Sequence, residues 1–82
     1  VEEYMELADA FGVSRIHVPD RFWNMTLDEA GFTSARDKYG IATVALKRGE
    51  EIILSPDSEE KLRDGDVLVV AGRDEYINQI TN

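Results

Sequence analysis

Alternation of polar and apolar residues identifies a first strand at residues 15–18. Ile16 and Val18 alternate with two polar residues, which is the pattern of a strand with one buried face. Pro19 ends this strand, because proline has no amide proton to give to a neighbouring strand. We therefore expect Ile16 and Val18 to face the core and His17 to face outward.

The apolar positions of residues 1–12 fit two different structures. Four side chains have the spacing of one helical face, at positions 4, 7, 8 and 11. The run is short and ends in a glycine, however, and residues 4–7 equally suit a strand that turns through residues 8–12 to pair with the strand that follows. The periodicity alone leaves a helix and a strand open.

A short helix is predicted to begin after Thr26. Thr26 and Glu29 have the spacing of a capping box, in which each side chain accepts a hydrogen bond from the other residue's backbone N–H. Gly31 is placed to loosen or end this helix. A second turn or two is predicted over residues 36–39, closed by Gly40.

Two neighbouring apolar runs predict a hairpin. Residues 41–46 are apolar or β-branched at every position, which is typical of a strand covered on both faces. Residues 47–50 form a tight polar link that contains Gly49, and residues 51–54 supply the return strand. This hairpin supplies two strands of the predicted sheet.

The last third of the chain predicts four elements. They are one helical turn, a tight turn, the most buried strand and a closing helix, at residues 58–63, 64–66, 67–71 and from Asp74 onward. The whole order predicts an α+β fold, in which a small sheet of about four or five strands, mixed or antiparallel with a hairpin, packs with two or three short helices.

Length and charge restrict the function. A chain of 82 residues allows one domain, over residues 1–82, and its net charge of −8 argues against binding nucleic acid or an anionic membrane surface. No run approaches the roughly 18 to 20 apolar residues that span a bilayer. The chain has no cysteine and one histidine, His17, so we expect no metal site, no catalytic residues and no enzymatic activity.

Glycines and carboxylates are the residues of this chain that could form a ligand-binding loop. No glycine-rich phosphate loop occurs, which argues against a cradle for NAD or ATP. Five carboxylates surround the turn before the last predicted strand, at positions 57, 59, 60, 64 and 66. They do not match a calcium-binding loop, and they predict either a solvated acidic turn or a weak divalent-ion contact shared between subunits.

Two large aromatic residues, Phe22 and Trp23, lie in a polar segment. Such residues either pack over the core or contact a partner. Both interpretations stay open, and the pair is our candidate interface.

Five short motifs together resemble the C-terminal regulatory domain of RCK/KTN proteins, the TrkA-C or RCK-C family. The motifs are Thr-Leu-x-Glu, Arg-x-Lys-Tyr-Gly-Ile, Ala-Leu-Lys-Arg-Gly, Ile-Ile-Leu-Ser-Pro-Asp and Leu-x-x-Gly-Asp-Val-Leu-Val-Val-Ala-Gly. The last motif, at residues 62–72, is the most specific. The resemblance covers about residues 4–80, and it favours a strand over residues 4–7.

The resemblance implies a cytoplasmic, homodimeric regulatory domain of a potassium or other cation transport system, as in Ktr/Trk regulatory subunits. Residues 1–12 would be the junction from a preceding Rossmann-like nucleotide-binding domain, and the further partner would be a membrane potassium transporter or channel subunit. The alternative is a ligand-free dimerisation module of a TrkA-C-containing transporter of another class, an antiporter or an anion symporter.

The resemblance also implies a ligand cleft between two copies, which in some relatives takes cyclic di-AMP. The residues expected at this cleft are Arg36, Ile41, Ala42 and Ile53. Apolar walls with a cation at the rim would suit a nucleotide base and its phosphate. We expect no tightly bound cofactor in this domain.

Overall fold

Five antiparallel strands form one sheet in a computed structural model that describes residues 3–33 and 41–81. The strands are β1 (Glu3–Ala8), β2 (Phe11–His17), β3 (Ile41–Arg48), β4 (Glu51–Leu54) and β5 (Val67–Arg73), and they lie in the order β1-β2-β5-β3-β4. The helices are α1 (Leu27–Ala30) and α2 (Asp74–Thr81), with a 3-10 turn at Asp20–Phe22. The predicted α+β class and hairpin are confirmed.

The core lies between one face of the sheet and the helices. Strands β2, β5 and β3 direct Ile16, Leu68 and Leu46 into it, and all three side chains are buried. Leu27 of α1 and Ile77 of α2 cover them from the other side. The sheet is therefore apolar on its inner face by strand alternation, as the pattern at residues 15–18 predicted.

The first strand, β1, settles the ambiguity of the N-terminal segment. Tyr4 to Glu6 pair with β2 in a regular antiparallel register, and Ala10 has a φ of 63° in the tight turn between the two strands. The expectation of a strand over residues 4–7 is confirmed. Of the four residues with helical spacing, Ala8 and Phe11 pair across the turn, whereas Tyr4 pairs with Ser14.

The predicted capping box begins α1. The Thr26 hydroxyl accepts a hydrogen bond from the Glu29 amide at 3.0 Å, and the Thr26 amide donates to the Glu29 carboxylate at 2.8 Å. Gly31 ends the helix with a φ of 88°, a left-handed conformation that glycine adopts without strain. The turn predicted at residues 36–39 and closed by Gly40 lies outside the described residues.

Two sequence-based expectations need correction. Residues 58–63 do not form a helical turn, because the Glu60 amide bonds to the Asp57 carbonyl in a tight turn and Lys61 then makes an isolated bridge to Thr26. Strand β3 is covered on one face only, since Val44 on this strand is 46% exposed.

Candidate functional site

The four predicted ligand residues do not share one surface. Arg36 lies outside the described residues. Ile41 is fully buried in the core, and Ile53 packs against the same core from β4. Ala42 is half-buried and points to the opposite face of the sheet, because neighbours on a strand alternate. A cleft that these residues form between two copies stays a prediction.

The aromatic pair divides between core and surface. The Phe22 ring contacts Phe32 edge to face, with centroids 5.4 Å apart, and the Arg21 guanidinium lies 4.6 Å from the Phe22 centroid. Trp23 is 38% exposed. Phe22 is therefore half-buried against the core, and Trp23 is the residue of this pair that offers apolar surface to a partner.

A cavity of about 410 Å³ opens between the 3-10 turn, α1 and α2. Phe22 and Tyr76 form part of its wall, and Asp28 and Glu29 lie at its edge. The Asp28 carboxylate accepts a hydrogen bond from the Thr33 hydroxyl at 3.0 Å, and Glu29 caps α1. The carboxylates of this cavity thus already hold local structure.

A buried ion pair fixes the turn before β5. Asp66 is 1% exposed, and its carboxylate accepts hydrogen bonds from Nε and Nη2 of Arg48 at 3.0 and 2.9 Å and from the Arg63 amide at 2.9 Å. Arg48 also donates to the Glu60 carboxylate at 3.1 Å and to the Lys61 carbonyl at 2.9 Å. The hydrogen bond to Asp66 raises the pKa of Arg48 above its ordinary value. The expectation of a solvated acidic turn is therefore wrong for Asp66.

A second polar contact ties the edge strand β1 to α2. The Tyr4 hydroxyl donates a hydrogen bond to the carboxylate of Asp74, the first residue of α2, and this contact raises the pKa of Tyr4 from 10.0 to about 12. The ring passes directly over Gly12, where a Cβ atom would overlap it. Gly12 therefore provides the space that lets Tyr4 reach Asp74.

The sheet face turned away from the helices carries several exposed apolar side chains, among them Met5, Ile52 and Leu54, and we call it the open face. By strand register its positions alternate with the core residues: Glu3, Met5, Phe11, Val13, Arg15, His17, Ala42, Ala45, Lys47, Ile52, Leu54, Val67, Val69, Ala71 and Arg73. Val67 is nonetheless buried, at 8% exposure. Sequence analysis predicted a covered strand here, because apolar runs look alike whether their second face meets the same chain or another molecule.

The described residues, 3–33 and 41–81, offer neither a metal-binding cluster nor a membrane-spanning helix. Across these ranges no cluster of three or more His, Asp or Glu side chains is placed to hold a metal ion. Neither described helix is long and apolar enough to cross a membrane.

The chain matches one known protein family over most of its length. Residues 13–82 match the family model of the TrkA-C domain. The chain belongs to the TrkA-C domain family. The resemblance seen in its motifs is thereby confirmed. The matched residues run from within β2 to the end of α2, and β1 lies outside the match.

Two curated relatives are potassium uptake proteins. This TrkA-C domain is 38% identical over 72 residues to the Ktr system potassium uptake protein C of Bacillus subtilis (strain 168), which covers 88% of this chain and 31% of that protein. It is 27% identical over 82 residues to the Ktr system potassium uptake protein A of the same organism, covering 100% of this chain and 36% of that protein. The chain thus spans about a third of the length of these relatives.

Solved structures of the same fold include RCK domains. The RCK C domain of the potassium transport protein KtrA, in complex with c-di-AMP, matches with a TM-score of 0.76 and 29% identity, covering 92% of this chain and 85% of that one. The RCK domain of GsuK matches with a TM-score of 0.67 and 26% identity, covering 89% of this chain and 16% of that one. The TrkA-C fold is therefore common to regulatory RCK domains of potassium transport proteins and to this chain.

Proposed function

We propose that this TrkA-C domain is the regulatory, ligand-sensing and dimerising part of a cytoplasmic subunit of a potassium transport system. The observation that carries the proposal is the TrkA-C match over residues 13–82, together with 38% identity to the Ktr system potassium uptake protein C. The partners of the whole protein would be a Rossmann-like domain of the same polypeptide and a membrane potassium transporter or channel subunit. The domain would carry out no reaction.

Regulation by such a domain works through coupling between two binding equilibria. A ligand that binds between two copies favours the relative orientation in which both copies contact it. This orientation then biases the domains attached to each copy, by a coupling free energy of typically about 1 to 3 kcal/mol. Two copies in a fixed geometry are therefore the unit that senses and transmits.

Cyclic di-AMP is the first ligand to test, because the similar KtrA domain was solved with it. Ala42 on the open face supplies a small apolar contact, and Arg36 supplies a cation for a phosphate group by its position in the sequence. We expect calorimetric binding of cyclic di-AMP but not of cyclic di-GMP. At a hundredfold excess over Kd, the stabilisation would be about 2.7 kcal/mol.

Arg36→Ala is the test variant and Arg63→Ala is its matched control, because Arg63 is an exposed arginine whose described contacts are made by its backbone amide and carbonyl. Arg36→Ala should weaken cyclic di-AMP binding at least tenfold, and Arg63→Ala should bind as the unchanged chain does. Absence of binding at millimolar cyclic di-AMP would contradict the ligand-sensing part of the proposal.

A second function is favoured by the burial of Ile41. A side chain with no exposed surface gives a ligand no direct contact, and Ile53 is also packed on the core side. This supports a ligand-free dimerisation module of a transporter of another class, such as an antiporter or an anion symporter. Dimerisation without any response to cyclic di-AMP, other nucleotides or divalent ions would select this second function.

A further inference from the structure

A small pocket lies between the edge strand β1, strand β2 and the start of α2. It has a volume of about 150 Å³, and its described lining residues are Tyr4, Ser14, Asp74, Ile77 and Asn78. It shares no described lining residue with the larger cavity beside α1. Because a water molecule takes about 30 Å³ of liquid volume, this pocket has room for a small ion together with a few water molecules.

The buried end of the pocket holds an unpaired hydroxyl group. Ser14 is 1% exposed, and its Oγ atom has no hydrogen-bond partner among the described residues. Ser14 pairs with Tyr4 on one side and with the buried Val70 on the other, so its side chain lies on the helix-facing side of the sheet, as the pocket does. A hydroxyl that leaves water without gaining a partner destabilises the fold, and a ligand that contacts Ser14 offsets this cost.

Asp74 gives the same pocket a negative charge. Its Oδ1 atom accepts the hydrogen bond from the Tyr4 hydroxyl, and no described cationic side chain forms an ion pair with it. The neighbouring Arg73 instead lies over the Phe11 ring, 5.1 Å from its centroid. The pKa of Tyr4 is raised mainly by the hydrogen bond to Asp74, and the charge of Glu6 adds to this effect. Two carboxylates therefore make the surroundings of the Tyr4 hydroxyl negative.

This combination of groups selects a cation. An anion would be repelled by Asp74, which already lies at the end of α2 where the helix favours negative charge. Calcium sites draw on several carboxylates, whereas one carboxylate lines this pocket. The remaining oxygens are neutral, like those that replace the hydration shell of potassium in its channels. The absence of cysteine and the single histidine do not bear on such a site, because its ligands are oxygen atoms.

We propose that this pocket binds a monovalent cation of the size of potassium, held by the oxygen atoms of Ser14, Tyr4 and Asp74. The size of the ion rests on the proposed function, in potassium transport, whereas the pocket and its charge do not depend on it. Strand β1 lies outside the TrkA-C match, and α2 lies within it. A cation shared by Tyr4 and Asp74 would therefore hold β1 against the TrkA-C domain and make this contact depend on the concentration of the ion.

Thermal unfolding of the 82-residue chain in potassium chloride measures binding. The reference is N-methylglucamine chloride at the same concentration, since its cation is too large for a pocket of about 150 Å³ and equal ionic strength keeps charge screening the same. We expect a higher Tm in potassium chloride. At about ten times Kd the folding equilibrium shifts about elevenfold, which raises Tm by about 6 to 11 °C in a domain of this size.

Two conservative substitutions test the proposed ligands. Ser14→Ala removes the hydroxyl without adding volume, and Asp74→Asn removes the charge and keeps the shape of the side chain. Each should weaken potassium binding at least about tenfold, which leaves less than about a third of the rise in Tm at the same salt concentration. Glu75→Gln is the matched control, because it removes one charge from the same turn of α2 at a residue that does not line the pocket.

The reference salt separates a ligand-binding serine from a structural one. There Ser14→Ala should melt no lower than the unchanged chain, because it removes a buried hydroxyl that has no described partner. A lower Tm of Ser14→Ala in the reference salt would overturn the assignment of an unpaired hydroxyl.

A crystal soaked in rubidium chloride locates the ion, because rubidium is close to potassium in size and scatters X-rays anomalously. We expect an anomalous peak next to Ser14 Oγ and the Asp74 carboxylate in the unchanged chain and in Glu75→Gln, and no peak there in Asp74→Asn. Anomalous peaks only at other places would overturn the site.

The outcomes keep this inference apart from the proposed function. Equal Tm in the two salts up to about 0.5 M, or a rise that Ser14→Ala and Asp74→Asn retain in full, would overturn the cation site and leave binding of cyclic di-AMP untouched. A rise as large in sodium chloride would overturn the selection of an ion of potassium's size. Absence of cyclic di-AMP binding, in turn, would refute ligand sensing without changing the rise in Tm that potassium causes.

Discussion

Replacing Arg48 by methionine removes the guanidinium that holds the buried carboxylate of Asp66, and keeps most of the aliphatic stem. Asp66 would retain one described donor, the Arg63 amide at 2.9 Å, in place of three. Breaking a fully buried ion pair costs about 3 to 5 kcal/mol. The Arg48 side chain is 21% exposed, so water replaces part of the loss, and we expect Arg48→Met to lower the free energy of unfolding by about 2 to 4 kcal/mol.

This loss is large for so small a domain. A single core of this size supplies roughly 3 to 5 kcal/mol of net stability, so Arg48→Met should be close to half unfolded without denaturant at the upper end of the range. Urea unfolding, monitored by circular dichroism, measures this change in the free energy of unfolding, provided that its dependence on urea concentration is the same in both proteins. Arg48→Lys should lose less, about 1 to 2 kcal/mol, because the charge remains and the bidentate geometry is lost.

Two further variants make the test decisive. Arg63→Met removes an exposed side chain from the same turn and should change stability by less than about 0.5 kcal/mol. Asp66→Asn added to Arg48→Met should recover about 1 kcal/mol or more, because it removes the unpaired buried charge. A loss below about 1 kcal/mol for Arg48→Met would refute the claim that this ion pair fixes the turn.

Other contacts give shorter tests. Absorbance titration of tyrosinate should find one group with a pKa of about 12, and this group should disappear in Tyr4→Phe. Because the pKa of Tyr4 in the folded chain lies above the usual 10.0, its contribution to stability is complete below about pH 10 and is lost as the pH rises through about 12. The absence of any tyrosine with a pKa of about 12 would contradict the contact with Asp74. Gly12→Ala should return the pKa of Tyr4 toward 10.0, since the added methyl group displaces the ring from Asp74. An unchanged pKa of Tyr4 in Gly12→Ala would mean that the ring does not lie over residue 12. Thr26→Ala should lower the urea midpoint by the equivalent of about 1 kcal/mol, and a loss near zero would mean that the capping box with Glu29 contributes nothing.

Local chemistry made much of the fold predictable. The capping box at Thr26 and the hairpin turn at Gly49 each depend on a few neighbouring residues, and both formed where the sequence placed them. The N-terminal segment needed more, because the spacing of its apolar side chains fits a helix and only the pairing with β2 distinguishes a strand. Family motifs supplied the information that periodicity lacked.

Contacts between distant residues could not be predicted in the same way. Arg48 and Asp66 are 18 positions apart, and nothing near Asp66 in the sequence marks it as buried rather than as one of several solvated carboxylates. The candidate site had a related difficulty. Ile41 and Ala42 are neighbours in the chain, yet the pleat sends them to opposite faces of the sheet, so a motif that names both does not say which one a ligand can reach.

The irregularity in β3 has a consequence for how this strand can change in length. Thr43 pairs with Val70 and Ala45 pairs with Val69, so Val44 is an extra residue in the strand. Ile41 and Leu46, an odd number of positions apart, can both enter the core only because this insertion shifts the phase of the alternation. Deleting Val44 would remove the bulge and leave a regular ladder in which Ile41 and Leu46, then four positions apart, still both face the core, so the strand should tolerate the loss of this residue.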